Sequence, residues 1–142
     1  MYVYLTIRVT NIFISFAVFS ARTLFPFKEA ISYNIDLAEK TEDLLRKSKN
    51  WEIVSQATLA IINFRYNPLG FNLSDEKLDK LNQEISARVV ASEEALLVTT
   101  VLQNQIVIRM CLINPKTTIN HIRETLNQCN SFAKKILKEW EK

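Results

Sequence analysis

The chain has 142 residues, with one glycine, one histidine, two cysteines, three prolines and a formal net charge of +3. Average glycine usage of about 7% would give roughly ten, so a glycine-rich phosphate cradle is excluded, as is a zinc site assembled from His121, Cys111 and Cys129 alone. A hydrophobic fraction of 48% and a charged fraction of 23% exclude disorder, and so small a net charge does not point to nucleic acid.

A chain of this length is expected to form one domain. Residues 1 to 25 stand apart: Arg8 and Arg22 are their only charged side chains, and Asn11 to Phe19 is mostly apolar. That run is shorter than the roughly 20 apolar residues of a membrane span. Its positive charge, short apolar core and small residues Ser20 and Ala21 have the outline of a secretory signal. Three readings stay open: a buried segment of a larger assembly, a cleaved signal, or a stretch unrelated to the domain that begins at Pro26.

From Pro26 to Lys142 the pattern is that of one small domain. Pro26 suits a first helical turn, and Phe27, Ile31, Ile35, Ala38 and Leu45 recur at helical spacing with Leu37 and Leu44 beside them. Asp36–Lys40, Glu42–Arg46 and Asp43–Lys47 are i,i+4 pairs with the acid first, the better orientation. Two strands are then predicted, a short one at Trp51 and Ile53 and a longer one from Leu59 to Tyr66, linked by a turn at Ser55 to Thr58. Asn67-Pro68 and Gly70 mark a loop. Ser74 is placed to cap a second helix, with Asp75 and Glu76 in its positive first turn and Leu78, Leu81, Ile85 and Val89 on its buried face. Strands come next at Ala95–Val101 and Gln105–Ile113 about a turn at Gln103-Asn104, where Asn104 tolerates positive φ. After Asn114-Pro115, a threonine caps a third helix whose Ile119, Ile122, Leu126, Cys129, Ala133, Ile136 and Trp140 form the clearest periodicity in the chain. The expected fold is α+β, helix-strand-strand-helix-strand-strand-helix, with a four-stranded antiparallel sheet and helices packed on one face.

Few residues suggest chemistry. Arg46, Lys47 and Lys49, like Lys134, Lys135 and Lys138, sit near helix ends and complement the helix dipole. Cys129 falls on a core stripe, His121 on an exposed first turn, and Glu93-Glu94 in a solvated loop. Arg109 lies mid-strand, on the face opposite Ile106, Ile108, Met110 and Leu112. An unpaired buried charge is very costly, so Arg109 is either exposed, paired with a structural carboxylate, or in contact with an anionic ligand completed by another domain. Arg65 has the same ambiguity, with the structural pairing favoured. No catalytic residue and no metal ligand set is identified. Two cysteines in unlike settings favour a reducing compartment, hence a cytoplasmic location, with secretion the alternative if residues 1 to 21 act as a signal.

Three stretches, Leu59-Ala60-Ile61-Ile62-Asn63-Phe64-Arg65-Tyr66-Asn67-Pro68, Leu81-Asn82-Gln83-Glu84-Ile85-Ser86 and Val107-Ile108-Arg109-Met110-Cys111-Leu112-Ile113-Asn114-Pro115-Lys116-Thr117-Thr118, together resemble the C-terminal domain of group II pyridoxal-phosphate-dependent amino-acid decarboxylases. The look is that of the bacterial diaminobutyrate and aromatic amino-acid branch, and it covers residues 27 to 138. Relatives carry a glycine in the turn occupied here by Gln103-Asn104. The resemblance implies a dimeric lyase whose large domain holds the Schiff-base lysine, the pyridine-facing aspartate, the ring-stacking histidine and the phosphate loops. The cofactor there serves as an electron sink. It also implies that Arg109 matches an arginine that in some relatives reaches the substrate carboxylate. None of the lysines here sits in a matching motif, so this chain alone is expected to bind no pyridoxal phosphate and to be inactive. Its expected partners are that large domain or a second copy, with an amino-acid substrate only in the intact enzyme and no nucleic acid or membrane. The alternative is a free-standing α+β module that binds a partner or a small acid.

Overall fold

A computed structural model describes residues 21–93 and 95–141; the readings made for residues 1–20 and for Glu94 lie outside them. The elements come in the expected order: α1 (Ala21–Lys47), β1 (Trp51–Thr58), β2 (Ile61–Tyr66), α2 (Asp75–Ala91), β3 (Val98–Leu102), β4 (Gln105–Cys111) and α3 (Ile119–Trp140). The strands form one antiparallel sheet in the order β1-β2-β4-β3. Two hairpins therefore meet along β2 and β4, and β1 and β3 are the edges.

Strand alternation sorts the side chains into two sets. Ile62, Phe64 and Tyr66 of β2 join Ile108 and Met110 of β4 in a single buried cluster. Leu37, Ala38 and Leu45 of α1, Leu81, Ile85 and Val89 of α2, and Ile122, Leu126, Cys129, Ala133 and Ile136 of α3 complete it. All three helices thus pack on one face of the sheet. Trp51 closes the first hairpin by meeting Phe64 and Tyr66 edge-on, with ring centroids 5.2 and 4.8 Å away.

The caps explain where the helices begin. Ser74 accepts from the Lys77 N–H at the start of α2, with Asp75 and Glu76 in the first turn. Thr118 accepts from the His121 N–H, and His121 Nδ1 accepts in return from the Thr118 N–H, so the pair forms a reciprocal capping box. Buried Asn82 ties α2 to the end of β2: its amide donates to the Tyr66 carbonyl at 3.1 Å and accepts the Tyr66 N–H at 2.7 Å.

Several expected boundaries move. The first hairpin turns at Leu59-Ala60, not at Ser55 to Thr58, with φ of 49° and 63° at the two turn residues. Both angles are positive, as a two-residue turn matching the strand twist requires. Neither leucine nor alanine signals such a turn, so local pattern alone makes β1 too short. The second hairpin does turn at Gln103-Asn104, with φ of 53° and 60°. β3 starts at Val98 rather than Ala95, because the Leu97 carbonyl is taken by the Ser86 hydroxyl of α2. β4 ends at Cys111, although the Leu112 N–H still reaches the Ala60 carbonyl at 2.8 Å. Helix α1 begins at Ala21, which places Pro26 beyond the first turn.

The face of α1 also differs. Among residues 27–47 its buried residues are Asn34, Leu37, Ala38, Thr41 and Leu45, whereas Phe27 and Ile31 are exposed. Periodicity predicts which residues share a face, but it does not say whether a neighbour lies against the whole length of that face.

Candidate functional site

The strand positions that alternate with the core set carry Asn63 and Arg65 on β2 and Val107 and Arg109 on β4. The two arginines have opposite fates. Arg65 is 1% exposed, and its guanidinium donates to Asp79 Oδ1 at 2.7 Å, to the Asp75 carbonyl at 3.1 Å and to Asp75 Oδ1 at 3.4 Å. Asp79 also accepts the Ile106 N–H at 2.9 Å, so one carboxylate joins β2, α2 and the start of β4. Arg65 is a structural arginine.

Arg109 is half-buried, and its Nε donates to Asn63 Oδ1 at 2.9 Å. Among the described residues no carboxylate pairs with it. Asn63 itself is buried and donates from Nδ2 to Ser55 Oγ at 2.7 Å. These three residues are cross-strand partners on adjacent strands, Ser55 opposite Asn63 and Asn63 opposite Arg109, with Val98 next in the row. On the same strand face, exposed Val98 is the β3 partner of Arg109 and exposed Cys111 lies two residues along β4. The result is a cation that is held in place with no neutralising carboxylate among the described residues.

The other candidates resolve plainly. Cys129 is fully buried, and burial pushes its thiol up to about 12, so it remains a protonated core residue at neutral pH. His121 is an exposed capping residue. Glu93 is exposed with φ of 64°, just after α2. Among the described residues no three His, Cys, Asp or Glu side chains gather as metal ligands would. A concavity of about 390 Å³ between the loop after β2 and the end of α3 is lined by Tyr66, Leu69, Phe71, Lys134 and Lys138 among others, and does not include Arg109. Every described lysine is at least partly exposed. Sequence reasoning missed Asn63 and Ser55; the only signal in the sequence was that both are polar residues predicted near strands.

Comparison with known proteins decides the affiliation. Over 129 residues, 91% of the chain, it is 33% identical to the aromatic-L-amino-acid decarboxylase of Bacillus atrophaeus, and it spans 26% of that protein. The chain belongs with the C-terminal portion of the group II pyridoxal-phosphate-dependent amino-acid decarboxylases. The Bacillus match is longer than the stretch from 27 to 138, so it extends beyond the residues that carry the resemblance. An L-2,4-diaminobutyrate decarboxylase of Acinetobacter baumannii is 24% identical over 75% of the chain, which spans 20% of it. The chain therefore spans a fifth to a quarter of the length of these decarboxylases. The crystal structure of Oryza sativa TDC with PLP and tryptamine shares the fold, at TM-score 0.70 and 22% identity over 77% of this chain and 23% of that one. No family model matches. Among the described residues, no helix is long and apolar enough to cross a membrane.

Proposed function

We propose that this chain works as the active-site-covering C-terminal domain of a pyridoxal-phosphate-dependent amino-acid decarboxylase, with Arg109 facing the carboxylate of the substrate. The observation that carries the reading is Arg109, which pairs with no carboxylate among the described residues and alternates with the core-facing residues of β4, in a chain 33% identical to a quarter of a decarboxylase.

The cofactor belongs, on this reading, to the remainder of the enzyme. Pyridoxal phosphate needs a lysine enclosed beside its aldehyde carbon and amides converging on its phosphate. The described lysines lie at the surface, and the single glycine, Gly70, stands alone in a loop. These residues do not fit the group, and no reaction step runs through them. The partner is the cofactor-bearing part of the same enzyme, in a homodimer. Unpaired Cys111 and Cys129 favour the cytoplasm. The exposed apolar residues Phe27 and Ile31 of α1 and Leu59 and Ile113 at hairpin and strand ends support a domain made to be covered over a free-standing module.

The test is a chimera in which the matched residues replace the C-terminal portion of the Bacillus atrophaeus decarboxylase. It is expected to load pyridoxal phosphate and to release carbon dioxide from an aromatic amino acid, and Arg109→Ala should lower kcat/KM about 100-fold through loss of a charge-assisted contact. A folded, cofactor-loaded chimera whose kcat/KM ignores Arg109→Ala would overturn the reading. The chain alone, mixed with stoichiometric pyridoxal phosphate and borohydride, should show no specific lysine adduct by peptide mapping.

A further inference from the structure

The row Ser55, Asn63, Arg109 is built in a way that simple strand pairing would not produce. Ile53 lies opposite Phe64, but the next partner of Asn63 is Ser55, so β1 has one extra residue there, a bulge at Val54. Without the bulge Val54 would face Asn63, and Ser55 would face Ile62. Bulges re-aim side chains in this manner. The re-aimed hydroxyl accepts from Asn63 Nδ2 at 2.7 Å. Because a guanidinium N–H can only donate, the amide turns its NH2 group toward β1, where the Ser55 hydroxyl anchors it, and its oxygen toward β4. There it accepts Arg109 Nε–H at 2.9 Å.

We propose that Asn63, anchored by Ser55, is the positioning residue that holds Arg109 for end-on capture of a carboxylate. The inference rests on the anion-facing role of Arg109 under Proposed function.

A guanidinium offers a carboxylate two bidentate edges, the Nε/Nη side and the Nη1/Nη2 end. Asn63 occupies Nε and so removes the side edge, leaving the Nη1/Nη2 end. An amide does this without cancelling charge. Arg65 shows the opposite design on the neighbouring position, where two carboxylates hold the guanidinium and it is sealed at 1% exposure. Asn63 is itself 7% exposed, so it lies in the sheet under Arg109 and leaves the outer surface to a ligand. A carboxylate at position 63 would hold Arg109 equally well and spend its charge internally. A neutral acceptor is therefore the chemistry that a ligand site requires and a purely structural contact does not.

The experiment uses the full 142-residue chain, labelled with nitrogen-15, and acetate as the probe, with chloride at equal ionic strength as control. The Arg109 Nε–Hε cross-peak reports the bond to Asn63, and its response to acetate reports binding. Wild type should show a saturable shift that Arg109→Lys lacks. Asn63→Ala should weaken acetate binding about tenfold and Ser55→Ala about threefold, since loss of the hydroxyl removes the anchor of the amide. Asn63→Asp is the discriminating variant. It should keep the Nε–Hε cross-peak and the thermal stability of the wild type while losing the acetate response. If Asn63→Asp binds acetate as wild type does, or Asn63→Ala leaves the response unchanged, the positioning role is wrong while the anion site stands. If wild type itself gives no saturable shift, the anion reading fails, and the positioning role falls with it.

Discussion

Arg65 and Arg109 share an ambiguity as letters in a strand, with a structural pairing favoured for Arg65. Arg65 is structural because α2 begins within reach of it and carries Asp75 and Asp79 on its first turns. Its two partners are not equivalent. Asp79 is only 26% exposed and also holds the Ile106 N–H, whereas Asp75 is 81% exposed and makes its side-chain contact at 3.4 Å. Breaking a buried charge pair costs about 3 kcal/mol or more, while an exposed partner contributes less than about 1 kcal/mol. Asp79→Ala is therefore expected to lower unfolding free energy by about 3 kcal/mol and Asp75→Ala by less than about 1 kcal/mol, read from urea midpoints. Equal effects would mean that Arg65 is not held as described. The sequence contains all these side chains, but their contacts depend on how the loop after Tyr66 returns α2 to the end of β2.

Among the elements, the edges and turns hold what periodicity does not express. β1 is an edge strand, and its Ala57 N–H is capped by Glu42 Oε2 of α1 at 2.6 Å, with Arg46 bound to the other carboxylate oxygen. Covering an edge amide with a charged side chain blocks pairing with another chain. The Ala57 hydrogen bond, with help from Arg46, lowers the pKa of Glu42 below its ordinary value. A lowered carboxyl pKa adds stability that is fully present above the unfolded-state value and is lost as pH falls through the folded value. Stability should thus decline as the solution is acidified below the ordinary carboxyl range. Glu42→Gln, which keeps an acceptor but cannot titrate, should be less stable than wild type at neutral pH, and the gap should close as pH falls. A gap that stays constant from about pH 7 to about pH 3 would show that Glu42 does not carry this linkage. At the second hairpin, Gln103 and Asn104 both hold positive φ. A non-glycine residue in that region costs about 1 kcal/mol, and Gln103 is exposed. Gln103→Gly should raise stability by about 1 kcal/mol and the thermal midpoint by a few degrees. An unchanged or lower melting temperature would show that the turn is not strained at this residue.

At the scale of the molecule, burial is uneven along α1. Its C-terminal half supplies Leu37, Ala38 and Leu45 to the core, while Phe27 is 61% and Ile31 44% exposed. An apolar stripe that continues past the domain's own core is a surface suited to a neighbour. The same holds for Leu59, 77% exposed at the tip of a turn whose next residue, Ala60, is buried. The isolated chain is expected to self-associate, with light scattering that rises with concentration. Phe27→Ser with Ile31→Ser should reduce the scattering and leave the melting temperature within about 2 °C, because exposed side chains contribute little to folding. A double variant that melts much earlier would mean that this half of α1 is already packed.

Composition and periodicity by themselves determined the order of the seven elements, the antiparallel α+β architecture, the caps at Ser74 and at a threonine before α3, and the core role of Cys129. These depend on local rules of spacing, capping charge and side-chain size. They also singled out Arg109. What only the tertiary structure decided is why Arg109 differs from Arg65, which end of α1 is buried, and where the first hairpin turns. Each of those depends on contacts between segments far apart in the chain: Asn63 with Arg109, Arg65 with Asp79, Ala60 with Leu112. No local pattern encodes them, because the residue that makes a side chain structural or available lies on another element.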